Sequence, residues 1–238
     1  MRNVAAIARR EFQGYFNSLI AYVFLVIFLL LTGWMFFRVF FLNGQASMRL
    51  MFDIMPWVYL FFVPAITMRL WAEEKKVGTM ELLMTLPVRD VEAVLGKFLA
   101  ALGLLALALA LTFPIPLIVA LLGNLDFGPV VGRYVAAILL GAAYLAIGVF
   151  VSSLTQNQIV AFILSVVIVF VLYMIGSDIV LYSVPAPVAS VLEYVSLGTH
   201  FESIGRGVID SRDVIYYLSV IGFFLYLNVR SIESRKWR

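Results

Sequence analysis

Six apolar runs divide the chain, at about Ile20–Phe41, Ile54–Leu70, Phe98–Leu122, Tyr134–Leu154, Ile159–Leu181 and Val214–Val229. Apolar runs of about 20 residues match one bilayer crossing by an α-helix, and the two-residue alternation of a barrel strand is missing. The pattern therefore predicts an all-α integral membrane protein with six transmembrane helices. The second run is short and carries Pro56 and Pro64, and Pro114 and Pro116 interrupt the third. Such breaks are tolerated where neighbouring helices satisfy the freed carbonyls. Ahead of the first run, Ala5, Ala8, Phe12, Tyr15, Phe16 and Leu19 form a helical stripe, with Arg2, Arg9, Arg10 and Gln13 mostly off it. Residues 1–19 thus predict an amphipathic helix lying in the membrane interface. The plainer alternative is a basic flank that only sets orientation.

The polar interruptions are unequal. Trp71–Pro87, reading WAEEKKVGTMELLMTLP, is a charged island placed in water. Gly78 and Thr79 break the incoming helix, Thr79 can cap a new one with Glu81 in its first turn, and Pro87 stops it. Thr79, Leu82, Leu83 and Leu86 then fall on one stripe of a helix of about two turns. A stripe of that kind facing water calls for a partner. On the other side, residues 182–213 form a long connection in which Pro185–Val195 and His200–Val208 predict two short helices, a hairpin before the last span. The reading as a partly re-entrant pair and the reading as a surface loop both stay open. The turn Thr155–Gln158 forces the fourth and fifth spans into an antiparallel pair, and Ala137, Gly141, Gly148 and Ser152 give the fourth a small-residue face.

Composition agrees with the pattern: 63% of the 238 residues are hydrophobic and 13% charged. Charge then orients the spans. With both termini in the cytoplasm, twelve of the seventeen Lys and Arg residues lie inside, which the positive-inside rule favours. The net charge of +3 is accounted for by this topology, so nucleic acid is not expected as a partner. No cysteine is present, which excludes disulfides and thiolate metal sites. The first apolar run exceeds signal-peptide length and lacks a small-residue cleavage site, so it is read as retained.

Catalytic chemistry is sparse. The one histidine, His200, has no metal-binding or catalytic constellation around it in the sequence, and HExxH is missing. Ser152, Ser153 and Ser165 lack a neighbouring base and read as packing or backbone-bonding residues. Asp178 near the outer end of the fifth run, with Arg38 at similar depth in the first, are the intramembrane polar candidates. A secondary carrier would require more than this one acid. Gly96-Lys97 is followed by Phe98 and lacks the upstream glycine spacing of a phosphate loop. The chain is therefore expected to be no enzyme and to bind no metal or cofactor itself.

Glu73-Glu74-Lys75-Lys76-Val77-Gly78-Thr79-Met80-Glu81-Leu82-Leu83-Met84-Thr85-Leu86-Pro87-Val88 resembles the E-x-x-G-T-x-E-x-L-x-x-x-P-V segment of ABC-2 (type V exporter-like) ATP-binding-cassette permeases. The six spans, the interfacial helix and the outer hairpin agree with that family, so the resemblance covers nearly the whole of 1–238 as one transmembrane domain. The stretch His200–Asp213 further resembles the gliding-motility-associated permease branch.

The resemblance implies a cytoplasmic coupling helix within the loop 71–97. Glu73, Glu74, Gly78, Thr79, Glu81, Leu82, Leu83 and Leu86 are its candidate contacts to a separate cytoplasmic ABC ATPase, which would hold the ATP and Mg. Glu73 and Glu74 are expected to pair with basic groups on the ATPase or on the interfacial helix, where Arg9, Arg10 and Phe12 are the candidates. The implied partners are a second permease copy or paralogue and a membrane protein with an extracytoplasmic domain. The implied location is the bacterial inner membrane, and the implied function is export or mechanical work on an envelope partner. The rival expectation is a non-transporting anchor or scaffold.

Overall fold

The computed structural model describes residues 2–80, 88–207 and 210–234, with the side chains of Arg2 and Ile20 excepted. All of its regular structure is helical: α1 (Arg2–Phe16), α2 (Leu19–Asn43), α3 (Arg49–Thr67), α4 (Arg69–Val77), α5 (Asp90–Leu111), α6 (Pro114–Leu122), α7 (Phe127–Leu154), α8 (Gln158–Met174), α9 (Asp178–Leu181), α10 (Ala186–Val195), α11 (Leu197–Gly205) and α12 (Ser211–Glu233). Among the described residues, five segments are long and apolar enough to cross a membrane: Ala21–Asn43, Arg49–Val77, Asp90–Leu122, Phe127–Leu154 and Ser211–Glu233.

α7 is the axis of the bundle. Residues 140–149 are buried without interruption, and the helix packs on α3, α4, α5, α8, α11 and α12. A helix apolar all round belongs in a core. Small residues let its neighbours approach: a Cβ added at Gly141 would strike Leu105 and Tyr59, and one at Gly148 would strike Thr67. The small face expected on the fourth span therefore seats α3 and α5 instead of serving the pairing with α8. α2 is peripheral. It buries Phe28 and Phe36 against the bundle and leaves Val23, Val26, Leu30 and Trp34 outside.

Several span boundaries lie outside the expected ones, and polar caps account for them. The second span begins at Arg49 and continues through α4 to Val77, so Trp71 and Ala72, like Leu70 before them, are buried helix, and these two are not part of the expected wet loop. Its ladder is interrupted at Met68, and Ser152 of α7 repairs the break. The Ser152 hydroxyl accepts from Trp71 N (3.1 Å) and Ala72 N (3.2 Å) and donates to Met68 O (2.9 Å). Those N–H groups stand at a helix start, where no intrahelical acceptor exists.

The third span starts at Asp90, eight residues before Phe98, behind a cap in which the Glu92 carboxylate accepts from Arg89 N at 3.1 Å. It pauses at Thr112 and Phe113, with Pro114 at the first position of α6, where proline is tolerated. The fourth span starts at Phe127, behind Asp126, and thereby takes Arg133 out of the outer loop. α8 stops at Met174, short of Leu181. Gly176 and Ser177 follow, and a Cβ at Gly176 would meet Ser196 at 2.4 Å. α10 and α11 match the expected hairpin, and α11 buries Leu197, Phe201 and Ile204 against α7, α8 and α12.

The helix ends sort into two groups. α1, the start of α5 and the ends of α4, α7 and α12 share one end: Lys97 meets Glu11 and Glu74, and Ser153 Oγ lies 3.0 Å from Ser231 Oγ. The end of α11 and the starts of α3 and α7 share the other, around Arg133. α8 runs from the Thr155–Asn157 turn at the first end to Tyr173, beside Trp57, at the second.

Candidate functional site

At the α1 end, α5 carries Gly96, Ala100 and Gly103 at spacings of four and three, a seam of small residues. α1 lies along it, with Ile7 over Gly96 and Phe12 over Gly103. α1 is thus docked on the protein. Its packed face differs from the expected stripe: Tyr15 is buried and Val4, Ile7, Ala8, Glu11 and Phe12 are half-buried, whereas Ala5 and Leu19 are exposed. Gly96→Val is expected to lever α1 off α5, because a Cβ there falls 2.6 Å from Ile7 Cγ2. Overpacking of that kind costs about 1–3 kcal/mol. The check is trypsin cleavage after Arg9 or Arg10 in detergent, which should rise severalfold while the remaining bundle stays intact.

Beneath α1 sits a buried lysine. Lys97 is 1% exposed, and its Nζ lies 2.6 Å from Glu74 Oε1, 3.1 Å from Glu11 Oε1 and 5.0 Å from the Trp71 ring centroid. Burial of an ammonium is costly unless it is paired and hydrogen-bonded, and two carboxylates with an aromatic face meet that need. The lysine joins α1, α4 and α5 at one point. A cavity of about 310 Å³ opens beside it, lined by Glu11, Tyr15, Arg69, Glu73, Glu74 and Thr79 among others. Glu74 Oε2 is buried there without a hydrogen-bond partner. Burial, reinforced by the Glu11 carboxylate, pushes the Tyr15 phenol well above its ordinary range, so it is neutral at any physiological pH. Arg69 stacks over its ring at 5.5 Å.

α4 ends at Gly78, whose φ of 80° is left-handed and suits glycine. The Thr79 hydroxyl donates back to Glu74 O at 3.4 Å, which closes the end of α4. The Lys75 ammonium donates to Ser153 O, which fastens α4 to the end of α7.

The sequence of this protein matches the family described as ABC-2 family transporter protein over residues 5–202. The chain belongs to the ABC-2 transporter family. No curated protein matches it significantly. With its apolar spans, this ABC-2 chain is a multi-pass membrane protein, and the family points to a permease subunit working with an ATPase partner.

The expected site residues are spread over the molecule. Glu73, Glu74 and Thr79 line the cavity beside the buried lysine, and Gly78 ends α4. Glu74 pairs with Lys97 of α5, to which Glu11 of α1 contributes a second acid, and Arg10 of α1 acts on Glu74 electrostatically. Arg9 and Arg10 are exposed on α1. Glu81, Leu82, Leu83 and Leu86 lie outside the described residues. Arg38 and Asp178 are not brought together: Arg38 stacks on Trp34 of its own helix at 5.5 Å, and Asp178 lies past the end of α8, exposed at the start of α9.

Lys97 itself was not expected. Its partners lie 86 and 23 residues away, and its position next to an apolar run reads as a flanking charge. The available signal was the run from Val91 to Ala101, which stays in helical phase through Lys97. His200 is also tied down: Nδ1 is 2.6 Å from Asp213 Oδ1, Nε2 is 3.0 Å from Tyr194 O, and the ring stacks on Tyr216 at 3.8 Å. These contacts hold α11 to α10 and α12.

Proposed function

We propose that the chain is the permease subunit of an ABC transporter of the bacterial inner membrane. A separate cytoplasmic ATPase hydrolyses ATP, and this chain carries the resulting motion into the bilayer for export or for work on an envelope partner. The domain is residues 1–238, with α8 as a sixth span. Its 17 residues rise about 25 Å at 1.5 Å each, and it runs between the two ends of the bundle. Six spans put both termini on the α1 side, which the distribution of Lys and Arg places in the cytoplasm. Hydrolysis, ATP and Mg are assigned to the partner.

One observation carries the reading. α4 leads directly from the second span to Gly78, and four residues before that left-handed residue Glu74 is locked through Lys97 to both α1 and α5. A push on the segment after Gly78 therefore reaches three helices at one charged contact. The coupling contacts are Glu73, Thr79, Glu81, Leu82, Leu83 and Leu86, of which Thr79, Leu82, Leu83 and Leu86 make up the stripe that calls for a partner. The open acceptor of Glu74 suits a basic side chain of the ATPase. The His200–Asp213 stretch supports a place in the gliding-motility-associated branch, with a second permease copy and an extracytoplasmic membrane partner. Affinity purification of the tagged chain in mild detergent tests this: a phosphate-loop ATPase should co-purify with ATP hydrolysis, and recovery of the intact chain without one would sink the reading.

A further inference from the structure

A cavity of about 850 Å³ lies at the end opposite α1, among α3, α7, α8 and α11. That volume is within the range of small-molecule sites. Arg133 forms its floor. Its Nε donates to Gly205 O at 2.9 Å, and its Nη1 donates to Arg49 O at 3.1 Å and to Asp53 Oδ1 at 3.0 Å. Asp53 also lies 3.6 Å from Arg49, and Asp126 accepts from Gly128 N. These four charges are engaged in holding helix ends together.

Two others on the wall are not. Glu202 and Arg206 stand one turn apart at the end of α11, and among the described residues no ion pair holds either. Opposite them Trp57 and Tyr173 meet edge to face at 5.8 Å. Trp57 is 44% exposed, and Phe61 and Phe170 continue an exposed aromatic track away from the cavity along α3 and α8. The cavity lies where the apolar spans end, so its polar residues stand at the depth of lipid headgroups.

We propose that this cavity binds the headgroup of a phospholipid bearing a phosphate and a primary ammonium, of the phosphatidylethanolamine type. A cation and an anion free to act a turn apart select a ligand that carries both charges and no net charge. Arg206 meets the phosphate. Glu202 accepts from the ammonium, and the Trp57 and Tyr173 faces attract it further. The aromatic track receives the acyl chains, which distinguishes a lipid from a free headgroup. None of this depends on ATPase docking, so the site can fail while the coupling reading stands.

The test is lipid retention. Wild-type protein from nanodiscs of equimolar phosphatidylethanolamine and phosphatidylglycerol is released into detergent, and the retained lipid is measured by native mass spectrometry. Phosphatidylethanolamine should be retained preferentially, and Glu202→Gln or Arg206→Gln should each lower its retention about tenfold, the loss of one charge-assisted hydrogen bond. Equal retention of the two lipids by the wild type, a comparison that needs no variant, would overturn the proposal. So would variants that fold and retain the lipid fully. Displacement of the lipid by an equal concentration of soluble glycerophosphoethanolamine would assign the cavity to the free headgroup and overturn the lipid assignment.

Discussion

Lys97→Met is expected to destabilise the protein by about 3 kcal/mol and to abolish coupling. The methionine fills the volume but leaves Glu11 and Glu74, both mostly buried, as two like charges without a cation. The size of the effect comes from that residual repulsion and desolvation, not from the net worth of the ion pair. A triple variant separates the roles. Lys97→Met combined with Glu11→Gln and Glu74→Gln removes the stranded charges and should recover most of the lost melting temperature in detergent. Coupling should not return, because the contact that ties α4 to α1 and α5 is gone. If the triple variant restored ATP-dependent activity along with stability, Lys97 would be a structural residue only.

Leu82→Arg should have the largest functional effect of any single change on the cytoplasmic side. In the helical register expected from the sequence, Leu82 falls with Thr79, Leu83 and Leu86 on one apolar stripe after Gly78. A charge buried in such an interface without a partner costs several kcal/mol, enough to lower ATPase affinity by two or more orders of magnitude. The fold should be untouched, so yield and detergent melting should match the wild type while ATPase co-purification is lost. Retained co-purification would mean that this stripe is not the docking surface.

These two residues also mark how much was legible in the sequence. Leu82 belongs to a local pattern, and local patterns can be read: the apolar runs, the helix before the first span, the two short helices before the last one and the helix break at Gly78 all follow from spacing and turn chemistry. Lys97 belongs to a tertiary arrangement. Hydropathy ends a span where charge begins, whereas the real helices continue through charge whenever a cap or a buried partner sustains them. The Arg89–Glu92 cap carries α5 back to Asp90 and draws Lys97 into the core, and Asp126 does the same for α7 and Arg133. Asp178 erred the other way: the apolar run suggested continuous helix, but Gly176 and Ser177 end α8 against Ser196. Nothing in the local sequence marks that contact.

The central claim is that the segment around Gly78 faces and contacts the ATPase. Because the chain contains no cysteine, a single introduced thiol reports one position unambiguously. Val77 and Tyr182 are exposed by 68% and 88%; Val77 ends α4 at Gly78, and Tyr182 lies in the connection expected on the outer side. Val77→Cys and Tyr182→Cys, each treated with a thiol-to-amine crosslinker in membranes that contain the co-expressed ATPase, give the most direct test. A crosslink to the ATPase from Val77→Cys and none from Tyr182→Cys is the predicted result. A crosslink from Tyr182→Cys alone, or none from either while the complex still co-purifies, would contradict the account.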